Sequence, residues 1–136
     1  MLSQGFAVAA SLALAAPPTV ASPGRESPFA CSPSALSPVE RKQHFEDYGP
    51  SLRARLQGVR ETSDGYEFTF QSDPATYRLL AAWMLQERRC CPFFDLALRL
   101  EREGGPLALR LTGREGVKAF IVSEFEPWFS RAAHRR

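Results

Sequence analysis

Apolar positions recur along this chain in two periods, and the order in which the periods alternate predicts its architecture. Tyr66, Phe68 and Phe70 alternate with Glu67 and Thr69, the two-residue repeat of a strand with one buried face. The same repeat returns in Phe94, Leu96, Leu98 and Leu100, set against Asp95, Arg99 and Glu101, and again in Leu107, Leu109 and Leu111. Val59-Arg60-Glu61-Thr62 supplies a fourth strand ahead of Tyr66, and Asp64-Gly65 between them suits positive φ in a tight hairpin turn. Gly104-Gly105-Pro106 turns the chain into a second hairpin, whose register is set by the need to bury leucines.

Between and around these strands the period lengthens to that of a helix. Ser37-Pro38-Val39-Glu40 places a serine at the N-cap, proline at the first helical position and glutamate at the third, a capping box. A helix to about Leu56 follows, with Val39, Phe45, Leu52 and Leu56 as its apolar stripe and Tyr48-Gly49-Pro50-Ser51 as a point where it can split. Asp73-Pro74 opens a second helix carrying Tyr77, Leu80, Ala81 and Met84, which must end at Pro92 because proline disfavours the α conformation at Cys91. Thr112-Gly113-Arg114-Glu115 reads as another capping box, leading into Val117, Phe120, Ile121 and Phe125 at helical spacing. Trp128 and Phe129 extend that face beyond Pro127. The expected fold is α+β: a four-stranded antiparallel or mixed sheet of two hairpins, with about three helices mainly on one face. Half-apolar strands argue against a parallel sheet covered on both sides.

The first 24 residues differ in kind, because no charged side chain lies between Met1 and Gly24. The run from Gly5 to Ala16 is apolar and Thr19-Val20-Ala21 offers a small-residue cleavage site, so 1–24 reads as a signal peptide or an N-terminal extension. No Lys or Arg precedes the run, and it is too short for a spanning helix. Export to the periplasm or outside is therefore the expectation, with a cytoplasmic protein as the alternative if the start codon is misassigned. Residues 25–36 form a proline-rich linker, 37–130 a single α+β domain and 131–136 a basic tail.

Composition excludes more than it identifies. The 136 residues, 44% hydrophobic and 24% charged, suit one globular domain that needs no staple to fold. The net charge of +2 arises from 17 basic and 15 acidic residues spread along the chain, so nucleic-acid binding has no electrostatic basis. No phosphate-binding glycine loop, nucleophile elbow or paired metal-binding histidines occur, and two histidines leave little acid–base machinery. Catalysis is the lesser reading.

The chemistry resides in three cysteines. Cys90 and Cys91 are adjacent at the predicted end of the second helix, and Cys31 lies in the linker. With about 100° of rotation per helical residue, Cys91 falls on the face of Leu80 and Met84 and Cys90 on that of Trp83. Two sulfurs leaving in different directions make a vicinal disulfide unfavourable without distortion. A helix C-terminus raises thiol pKa values whereas Arg88 and Arg89 lower them, so no activation follows, and a redox pair normally uses Cys-x-x-Cys at a helix N-terminus. Zinc lacks four ligands at any familiar spacing.

Three thiolates do suit a thiophilic ion such as Cu(I), Hg(II) or As(III), with His44 and Glu87 as further ligands for a harder one. The competing reading is a structural or partner-binding domain in which Cys31 is bridged to Cys90 or Cys91. A thiol-dependent redox enzyme is a third. His44 taken alone reads as a surface histidine, and Glu87 with Arg88 and Arg89 as a solvated face.

Phe29-Ala30-Cys31, Leu36-Ser37-Pro38-Val39-Glu40-Arg41, Glu87-Arg88-Arg89-Cys90-Cys91-Pro92-Phe93-Phe94 and Leu111-Thr112-Gly113-Arg114-Glu115-Gly116-Val117-Lys118 carry a resemblance. Across about Phe29 to Phe125 the chain resembles a family of small, uncharacterised bacterial proteins with a Cys-Cys-Pro-Phe signature. The resemblance implies one compact domain and a recurring trio of cysteines and names no reaction. The apolar N-terminal segment departs from the shorter members.

Overall fold

Alternating apolar side chains build a single sheet whose inner face is covered by every long helix. The computed structural model describes residues 26–136, so the segment 1–24 read as an export signal lies outside the described residues. Four strands, β1 (Leu56–Glu61), β2 (Gly65–Phe70), β3 (Asp95–Leu100) and β4 (Leu107–Thr112), lie in the order β1-β2-β4-β3, each neighbour antiparallel. The sheet is therefore antiparallel rather than mixed, and the fold is α+β as the periodicities predict.

Tyr66, Phe68 and Phe70 on β2 and Leu107, Leu109 and Leu111 on β4 meet the helices, as expected of the strands buried at the centre of the sheet. Burial falls toward β3, where Leu96 and Leu98 are half-buried and Leu100 is 61% exposed. On the opposite face Glu67 receives Arg60 at 3.0 Å and Arg99 at 3.6 Å, which tie β1, β2 and β3 together.

The helices are α1 (Pro38–Lys42), a π-helical stretch Gln43–Tyr48, α2 (Gly49–Arg55), α3 (Pro74–Cys90), α4 (Val117–Glu124) and α5 (Glu126–Ala133). The capping box that opens α1 forms as expected, with Glu40 N–H donating to Ser37 Oγ at 3.3 Å and Ser37 N–H to Glu40 Oε2 at 2.8 Å. Asp73 caps α3 through Thr76 N–H at 2.8 Å.

Pro50 does not split the first helix. The backbone widens into π-helix ahead of it, with Gly49 N–H reaching His44 O, and α1 and α2 join through that turn. The widened turn also changes which residues face inward. Val39 is 68% exposed and Phe45 45% exposed, both against expectation, while His44 is 3% exposed. A regular 3.6-residue period cannot anticipate this, because one wide turn shifts the phase of everything before it.

Two turns also differ from their sequence reading. No capping box forms at Thr112: α4 begins at Val117 behind Gly116, which takes φ 94° and makes no side-chain cap. Arg114 instead reaches back to Ser27 O and stacks over the Phe29 ring at 4.1 Å. In the first hairpin Gly65 does not take positive φ, and the turn closes by Thr62 N–H donating to Gly65 O at 2.9 Å. The glycine is required there because a Cβ would lie 1.9 Å from Leu111 O on β4.

The proline-rich segment is packed rather than detached. Pro33–Ala35 forms a 3-10 turn and Leu36 is fully buried, so the ordered chain starts before the Ser37 cap. Phe29 meets Phe93 edge-on at 5.3 Å and stacks near Phe120 at 6.3 Å.

Candidate functional site

One stripe of α3 carries the site. Thr76, Leu80, Trp83, Glu87 and Cys90 recur at alternating spacings of four and three residues and are all buried. Ordinary helical geometry thus points Glu87 and Cys90 into the interior one turn apart. The helix then stops as Pro92 demands: Cys91 takes φ −121° and ψ 75°, outside the helical region, while its N–H still donates to Glu87 O at 2.7 Å. Cys90 thus ends the helix while Cys91 leaves its backbone conformation, and both side chains are buried.

The N-terminal segment is delivered to this corner by backbone as well as by aromatic packing. Ser32 N–H donates to Cys90 O at 2.7 Å, next to the Phe29 cluster. Cys31 reaches Cys91 and forms a disulfide with it, with Cα atoms 4.5 Å apart across a sequence separation of 60. Cys90 stays a free thiol and is fully buried. Its sulfur lies within 4.8 Å of both bonded sulfurs, so the three cysteines named from sequence form one group. Burial pushes the Cys90 thiol up to about 11, aided by the Glu87 and Glu124 carboxylates, so it is protonated at neutral pH.

His44 and Glu87 are buried, and the expectation of a surface histidine and a solvated glutamate is corrected. They satisfy each other by hydrogen bonding: His44 Nε2 lies 2.7 Å from Glu87 Oε2, and His44 Nδ1 lies 3.2 Å from Gln86 Oε1. Each alone is costly to bury, and together they are tolerated because opposite elements bring them into contact. The His44 ring stacks on Trp83 at 5.4 Å, nearly parallel. Burial holds the Glu87 carboxyl above its ordinary range, with His44 opposing that shift and Glu124 adding to it. As potential ligands the two engage each other, whereas among the described residues the mutually close ligand atoms are the three sulfurs.

A cavity of about 200 Å³ opens beside this pair, lined among others by His44, Trp83, Glu87, Cys91, Glu124 and Trp128. It gives one flank of the disulfide a partly polar, partly aromatic approach. Gln86, Trp83 and Glu124 are the site residues that the chemical motifs do not announce. The stripe spacing on α3 carries a signal for Trp83 and Glu87, because both sit in phase with Leu80 and Cys90.

Arg88 and Arg89 do not surround the thiols. Arg89 is drawn outward to Glu40 Oε1 at 2.7 Å and to Ala35 O at 2.8 Å, which fastens the start of α1 to the end of α3. Among the described residues no helix is long and apolar enough to cross a membrane. No protein-family model, curated protein or solved structure matches the chain.

Proposed function

We propose that the protein binds a thiophilic metal or metalloid ion through Cys31, Cys90 and Cys91 when the Cys31–Cys91 bond is reduced. The disulfide form is then the ion-free state. The observation that carries this reading is the convergence of three sulfurs within 4.8 Å at the end of α3. A two-electron reduction by a dithiol would release two thiols beside the third. Three thiolates in apolar surroundings form a soft donor set suited to Cu(I), Hg(II) or As(III).

The protonated state of Cys90 weighs against thiol redox catalysis and not against an ion. A redox thiol reacts as the thiolate, which burial and the neighbouring carboxylates disfavour here, whereas a soft ion displaces the thiol proton as it binds. The disulfide also fits an exported protein, since such bonds persist in oxidising compartments.

Titration tests the reading directly. Protein reduced with a phosphine and separated from it should take up one equivalent of Hg(II), As(III) or Cu(I), with all three thiols protected from a thiol reagent. Cys90→Ser should weaken uptake about tenfold or more. If none of the three ions protects any thiol, the proposal fails. The second reading, a purely structural disulfide, is favoured by the bond itself and its aromatic surroundings. It predicts one titratable thiol in protein as isolated and no uptake after reduction.

A further inference from the structure

The sheet has two edges, and among the described residues only one carries a bulge. β1 carries a bulge between Leu56 and Gly58 and is flanked by α5, both of which interfere with pairing to another strand. β3 has no bulge, although α3 packs against it on the helix-bearing face. Asp95–Leu100 pairs with β4 in unbroken register, contains no proline or lysine, and has no strand on its outer side among the described residues. Beside it on the helix-bearing face lies a groove of about 520 Å³ lined by Tyr77, Met84, Leu85, Leu96 and Leu98. Leu85 is 63% exposed, and Leu100 and Tyr77 are also left to solvent.

We propose that β3 pairs antiparallel with β3 of a second copy of this chain, across a twofold axis at Ala97, making one eight-stranded sheet. The sequence of the strand selects this register. Antiparallel pairing sets opposite residues on the same face, so both helical layers share one side only when the two residue numbers sum to an even value. Centring on Ala97 places Asp95 opposite Arg99 of the second copy, twice by symmetry, with Leu96 opposite Leu98 and Phe94 opposite Leu100. Centring on Leu98 would oppose Asp95 to Glu101, a like-charge pair. Centring on Leu96 leaves Asp95 facing Ala97 with no partner. Only the Ala97 register matches both charge and apolarity. Asp95 is exposed and makes no ion pair among the described residues, and the twofold brings it to Arg99, whose guanidinium already reaches Glu101 at 2.8 Å and Glu67 at 3.6 Å within its own chain. The same twofold brings the two α3 grooves to opposite sides of the seam and covers Leu100, the exposed end of an otherwise inward-facing row.

The test is the mass of the full chain in solution, on protein that runs as a monomer in a non-reducing denaturing gel. Sedimentation should give twice the monomer mass at micromolar concentration. Asp95→Arg should raise the dimer dissociation constant about tenfold or more, by opposing two arginine pairs. The exchanged variant Asp95→Arg with Arg99→Asp should recover dimerisation. Concentration-dependent protection of the β3 amides against hydrogen exchange provides a readout on the wild-type protein, independent of whether any variant folds. A monomer across the concentration range overturns the proposal, as do a dimer indifferent to Asp95→Arg, no recovery in the folded exchanged variant, or β3 amides whose exchange ignores concentration.

Discussion

At the scale of single residues, the site depends on a buried polar pair in which each partner satisfies the other. His44 and Glu87 are joined at 2.7 Å with side chains 3% and 4% exposed, so removing either leaves the other buried without its hydrogen-bond partner. Leaving a buried polar group without its partner costs about 1–3 kcal/mol. Glu87→Ala and His44→Ala should each lose stability of that order in urea unfolding. The double variant should cost less than their sum, by about 1–3 kcal/mol. Strict additivity would mean that the pair makes no mutual contribution. The sequence hides this contact for a plain reason: the partners lie 43 residues apart, and a π-helical turn rotates His44 inward where a 3.6-residue period puts Phe45. The helix end at Cys90 is legible by contrast, since Pro92 stops a helix wherever it sits, whereas the gathering of three sulfurs within 4.8 Å needs the remote Cys31 segment.

Among the elements, the joint between α1 and α3 has a pH dependence with a definite sign. Hydrogen bonds from Arg89, and then from Ser37, lower the Glu40 carboxyl from the usual 4.5 to about 2. An acid whose folded pKa is depressed contributes stability above its unfolded pKa, and that contribution disappears as pH falls toward the folded value. The chain should therefore lose stability between about pH 4.5 and 2 through this group. Glu40→Gln should flatten that part of the stability–pH curve while leaving the protein folded at neutral pH. An unchanged curve in the variant would show that Arg89 holds nothing through Glu40. The caps on α1 and α3 could be read from Ser37 and Asp73 because such caps are local, made within three residues. The reading failed at Arg114, where the competing partner, the Phe29 segment, is remote in sequence.

For the whole molecule, two periodicities were enough to give an α+β sheet, but the order β1-β2-β4-β3 depends on long-range pairing that no local pattern encodes. The Cys31–Cys91 bond joins the two ends of that long range. Closing a loop across 60 residues removes unfolded-state entropy worth about 4 kcal/mol. A domain of this size is stable by roughly 5–15 kcal/mol in total. Reduction should therefore lower the thermal midpoint by more than about 10 °C without abolishing the fold, since Phe29 and the Ser32–Cys90 bond still hold the segment. A soft ion bound by the three thiolates would rejoin the same two chain segments. It stabilises the native state by about 2.7 kcal/mol at a hundredfold excess over its dissociation constant. Thermal unfolding of oxidised, reduced, and reduced ion-loaded protein thus separates the two readings of the cysteines. Recovery of the midpoint with Hg(II) or As(III), rising with ion concentration and absent in Cys90→Ser, makes disulfide and ion interchangeable ties at one corner. A midpoint that stays low at every ion concentration leaves the bond as a structural tie alone.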